Sequence, residues 1–78
     1  IAAHFSAMDD SVTLINATAA DDTDALAMHG DAAEVKLMVT RNTDHLEIQA
    51  ATDWYSDSSK SKTPYTGAVT AGKAYVAG

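Results

Sequence analysis

Residues Val35 to Ala51 read VKLMVTRNTDHLEIQAA, and the spacing of their apolar side chains predicts an antiparallel β-hairpin. Val35, Leu37 and Val39 alternate on one arm and Leu46, Ile48 and Ala50 on the other, around the turn residues Arg41, Asn42, Thr43 and Asp44. Pairing Thr40 with His45 sets Val39 against Leu46, Leu37 against Ile48 and Val35 against Ala50. The same register sets Lys36 against Gln49, and Met38 against Glu47, on the other face. Each cross-strand pair contributes only about 0.2–1 kcal/mol and an isolated hairpin is marginal in water, so the apolar face is expected to need a cover.

Outward from the hairpin, Ser11 to Thr18 (SVTLINAT) is β-branched and apolar enough for a first strand between aspartate pairs. Asp21 to His29 (DDTDALAMH) reads either as one or two helical turns or as an ordered loop. In the helical reading Asp22 or Thr23 is the N-cap and Gly30 closes the C-terminus. Ser56 to Pro64 (SDSSKSKTP) is a polar surface loop bracketed by Trp54, Tyr55 and Tyr65. A last strand is expected around Lys73 to Val76, with Gly67 and Gly72 at turns. The expected fold is mainly β: one domain over residues 1–78, with a strand and loop region in 1–30 and the hairpin, polar loop and last strand in 31–78. It holds a small antiparallel sheet of about three to four strands, a central hairpin near 35–51 and at most one short helix. A helix from another chain would complete an α+β layer pair.

Composition narrows the functional classes. A 78-residue chain without cysteine has neither a disulfide framework nor a thiolate metal site. Its few large aromatics leave little bulky core material, which makes association with another chain the expected stabilising device. Five Lys and Arg against eleven Asp and Glu give a net charge of −6, opposite to the clustered positive charge that nucleic-acid binding requires. No apolar run is long enough to span a membrane. The first residue is Ile1, consistent with a removed leader or a longer parent chain, and the expected setting is extracellular, at the cell surface of an exporting cell.

Candidate chemistry is sparse. His4, His29 and His45 are at least sixteen residues apart, so no zinc-binding spacing occurs. Asp21, Asp22 and Asp24 suit helix capping and solubility; as a calcium loop they lack the closing glutamate, leaving at most weak surface binding. TGAVTAGK, residues 66–73, has the outline of a phosphate loop but is followed by Ala74 instead of Ser or Thr. No serine elbow or triad order is present. The expectation is a non-enzyme without cofactor or metal. Trp54, Tyr55 and Tyr65 are candidate surface aromatics, with core filling as the competing role.

From Gly30 onward the chain resembles the C-terminal globular part of bacterial type IV pilins. AEVKLMVT, RNTD, HLEIQAATDWY, SDSSKSK and TPYTG follow the order strand, turn, second strand, Ser/Lys-rich loop and tyrosine. IAAHFSAMDD differs from the apolar helix that starts a complete pilin. The resemblance therefore implies the companion chain of a split pilin: a structural subunit of an extracellular filament whose partners are a short pilin chain with a long apolar N-terminal helix and neighbouring copies. Val35, Leu37, Val39, Leu46 and Ile48 would form the partner interface. The alternatives are a small virion decoration or tail protein and a stand-alone secreted β binding domain.

Overall fold

The computed structural model describes residues 2–51 and 61–78, and among these residues there is no strand. They form four helices: α1 (Ala2–Ala20), α2 (Thr23–His29), α3 (Ala32–Ala50) and α4 (Thr63–Ala77). The molecule is an elongated bundle of 40 × 22 × 16 Å. α3 packs against both α1 and α4, and α1 packs against α4. Two tyrosines of α4 fix its direction: Tyr65 near its start donates to Asp9 in α1, and Tyr75 near its end donates to Asp22 just beyond α1. α1 and α4 are thus parallel, with α3 antiparallel between them.

The mainly β expectation is overturned, and with it the β-hairpin at 35–51 and the likeness to pilin globular domains. The buried residues of α3 are Val35, Val39, Thr43 and Leu46, a spacing of four, four and three that winds along one face of a helix. Leu37 and Ile48, which the alternating pattern buries, are 41% and 63% exposed. The turn residues Arg41 to Asp44 contain neither glycine nor proline, and among the described residues only Gly30 has positive φ, so nothing in that segment obliges the backbone to reverse. Helix initiation is specified just upstream. Asp31 is an extended N-cap whose carboxylate accepts from the Ala33 N–H at 2.8 Å, and Glu34 adds negative charge to the first turn.

The other expected strands are also helix. Ser11 to Thr18 lies inside α1, and Lys73 to Val76 inside α4. Gly67 and Gly72, read as turn positions, are interior residues of α4, which starts with Pro64 in its first turn. The stretch left open between helix and loop is α2. Gly30 closes it at φ 67°, donating its N–H to Leu26 O, while Asp22 at the N-cap makes no side-chain cap bond. Trp54, Tyr55 and most of the polar tract Ser56 to Pro64 lie outside the described residues.

The core lies within the chain. Phe5, Met8 and Ile15 from α1, Leu46 from α3 and Tyr65 and Ala68 from α4 form its main cluster, and Val35 and Val39 are also fully buried. α1, α3 and α4 each contribute residues three, four or seven positions apart, the seam expected of interlocking helices, and α2 contributes no buried residue. Of the apolar residues for which a foreign cover was expected, Val35, Val39 and Leu46 are buried within the chain, whereas Leu37 and Ile48 are not.

Candidate functional site

The centre of the α1–α3 interface is polar. Ser11, 5% exposed, donates through Oγ to Asn42 Oδ1 at 2.9 Å and lies 3.3 Å from His45 Nδ1. Asn42 Nδ2 donates to Met38 O at 2.9 Å, which orients the amide so that its oxygen faces Ser11. A serine hydroxyl has one hydrogen, and here it goes to Asn42, so His45 must donate from Nδ1 to the Ser11 oxygen. In this arrangement the serine hydrogen is directed to Asn42 and the imidazole lies against the hydroxyl oxygen, which links α1 to α3.

A second polar feature lies between α3 and α4. Thr43 is 3% exposed and its hydroxyl has no hydrogen-bond partner. It faces Gly72, where a Cβ would lie 2.0 Å from Thr43 Oγ1 and 3.3 Å from an Ile15 methyl. The absent side chain lets α4 approach α3. Beside the contact is a recess of about 200 Å³ whose walls include Thr40, Val76 and Lys73, and the lysine ammonium is paired with Glu47. Thr43, Asp44, Gly72 and Ala77 complete its lining.

The acidic residues are occupied locally. Asp21 accepts from both the hydroxyl and the N–H of Thr23, bonds that hold its carboxyl below the usual range, the hydroxyl contributing most. Asp22 accepts from Tyr75 at 2.9 Å; partial desolvation, then this bond and the nearby negative charge, raise the tyrosine above its usual value. Among the described residues no three His, Cys, Asp or Glu side chains are grouped to hold a metal, and no helix is long and apolar enough to cross a membrane.

Of the residues expected at a partner interface, Val35, Val39 and Leu46 are in the chain's own core, whereas Leu37 and Ile48 face outward. Tyr65, a surface-aromatic candidate, is 2% exposed and fills the core. Alternation along a strand groups these five residues on one side; helical geometry separates them three and two.

An apolar recess edged by acidic residues lies where α1, α2 and α3 meet. This groove of about 430 Å³ is floored by Leu14, Ala17, Ala25 and Met38 and flanked by Met28, which is 80% exposed. Asp10 and Asp24 stand on its rim. Residues 1–35, which build most of it, hold seven acids (Asp9, Asp10, Asp21, Asp22, Asp24, Asp31 and Glu34) and no lysine or arginine. The rest of the chain holds five basic residues and four acids. Of these seven acids Asp10 and Asp24 line the groove, while Asp9 and Asp22 accept from Tyr65 and Tyr75 of α4. The last turn of α1 adds the partial negative charge of a helix C-terminus. Sequence reasoning missed this site because its apolar residues come from three elements, although the absence of Lys and Arg before Lys36 was a visible signal. No protein-family model, curated protein or solved structure matches the chain.

Proposed function

We propose that this protein is a non-catalytic interaction module that binds a basic, amphipathic segment of another protein in the groove between α1, α2 and α3. The observation that carries this reading is Met28, 80% exposed beside Leu14 and Met38 in a groove lined also by Asp10 and Asp24, within a segment that has seven acids and no lysine or arginine. A flexible, polarisable methionine is suited to adapt to an apolar face, and a recess lined by two of them can accommodate side chains of varied shape. The surrounding carboxylates favour lysine and arginine at the edges of such a segment and reject acidic ones. A helix laid in a groove, with apolar anchors three or four residues apart, fits this combination.

The three methionines supply the test. Met8 is fully buried in the core, while Met28 and Met38 line the groove. With methionine methyls labelled for NMR, a synthetic helical peptide with leucines on one face and lysines on the other is titrated into the protein. A companion peptide has the lysines replaced by glutamate. The expected result is movement of the Met28 and Met38 methyl signals with Met8 unmoved, no binding of the acidic peptide, and weakening by salt. Met28→Ser should weaken binding about tenfold, the equivalent of one buried apolar side chain. Equal binding of both peptides, or binding that leaves Met28 unmoved, would overturn the proposal.

A further inference from the structure

We infer that the chain also pairs with a second copy of itself, antiparallel, through the outward face of α3. At about 100° per residue, Leu37, Arg41, Asp44 and Ile48 fall in one stripe diametrically opposite the buried residues Val35, Val39, Thr43 and Leu46. All four are exposed. Their spacing of four, three and four is that of alternating d and a positions in a coiled-coil seam.

The stripe is complementary to itself about a single point. A two-fold axis crossing α3 midway between Asn42 and Thr43 relates Arg41 to Asp44, the second residue out on either side, and Leu37 to Ile48, the sixth residue out on either side. In an antiparallel pair this sets Arg41 against Asp44 of the partner subunit, and Leu37 against Ile48 of the partner subunit, each twice. Such a contact is isologous and closes as a dimer. Two ion pairs form the middle and two apolar layers the ends. A parallel pair in register would place Arg41 on Arg41 and Asp44 on Asp44, so charge selects the antiparallel arrangement. At the flanks, Met38 approaches His45 of the partner subunit and Thr40 approaches Glu47 of the partner subunit, with no like-charged pair.

Arg41 and Asp44 are also available for it. Three positions apart on a helix, they could have paired with each other, yet neither makes an ion pair or side-chain hydrogen bond among the described residues. The other exposed cation of α3 and α4 with a close acid, Lys73, is taken by Glu47. Met28 and Leu14 lie outside this face, whereas Met38 at its flank also lines the groove, so the two surfaces meet at that one side chain.

With only four layers the dimer is concentration-dependent, and sedimentation equilibrium from about 10 µM to 1 mM spans the range expected for a small interface. The full chain is expected to shift from monomer to dimer across that range. Arg41→Asp and Asp44→Arg, each alone, create like-charged layers and should weaken dimerisation at least about tenfold; together they exchange the charges and should restore it. Circular dichroism reports whether each variant keeps its helices, and Leu37→Ser with Ile48→Ser provides an uncharged second route to the monomer. A chain monomeric at 1 mM would overturn the inference. So would a dimer insensitive to both single reversals, or one lost on Met28→Ser instead.

Discussion

Ser11 Oγ donates to Asn42 Oδ1 at 2.9 Å, tying the middle of α1 to the middle of α3 across 31 positions of sequence. With His45 on one side and the Met38 carbonyl on the other, it forms a relay running from the imidazole through Ser11 and Asn42 to the Met38 carbonyl. Inside an otherwise apolar seam, such a bond fixes which residues face each other, because sliding either helix would strand polar groups away from water.

The relay predicts the His45 tautomer. Its neutral ring should carry the proton on Nδ1, a minority form for free histidine that nitrogen NMR shifts distinguish. Ser11→Ala should move His45 toward the other tautomer and destabilise the fold by about 1 kcal/mol. A wild-type ring protonated on Nε2 would show that the bond runs in another direction.

Gly72 and Thr43 predict a strongly non-additive pair. Gly72→Ala should raise helix propensity by about 1 kcal/mol, but its methyl meets the Thr43 hydroxyl, and overpacking costs about 1–3 kcal/mol. The single variant should therefore lose stability in urea unfolding. Thr43→Ala leaves a small void, and adding Gly72→Ala to it should cost far less than in the parent, since the obstructing atom is gone. Simple additivity would mean that the two helices separate more easily than their contact implies.

Leu46 and Ile48 test the helical register directly. On a strand both lie on the same face; on α3 Leu46 is fully buried and Ile48 is 63% exposed. Leu46→Ala should cost about 2–5 kcal/mol, a large fraction of what so small a domain possesses. Ile48→Ala, measured at low concentration to keep the chain monomeric, should stay within about 0.5 kcal/mol. Comparable losses at both positions would contradict the register.

These positions also show what the sequence made legible. Val35, Val39 and Leu46 satisfy both a two-residue and a helical period, so the short apolar arms could not decide between them. The deciding signals were local: Asp31 three residues before Glu34, the absence of glycine or proline between Arg41 and Asp44, and Pro64 before a segment rich in alanine. The C-terminal stop of α2 was readable from Gly30, which takes the left-handed conformation, whereas Asp22 stands at the N-cap without a side-chain cap bond. The pairing of Ser11 with Asn42 and of Thr43 with Gly72 depends on how three helices meet, and no periodicity within one segment encodes it. The groove is a composite of three elements for the same reason, leaving only its charge visible in the linear chain.

Tyr75 predicts an alkaline limit to the α4 docking. Its phenol donates to Asp22 at the junction of α1 and α2, and partial desolvation and that bond raise its ionisation above the ordinary value of 10.0. A group whose folded value is raised binds its proton more tightly in the folded state. Its contribution is fully present below pH 10.0 and is lost as pH rises through the folded value, when the phenolate would face the Asp22 carboxylate. Ultraviolet titration of tyrosinate should show a component above pH 10.0 that disappears in Tyr75→Phe, and this variant should lose stability less steeply at alkaline pH. If Tyr75 ionised below that value, the hydrogen bond to Asp22 would not be holding the end of α4 in place.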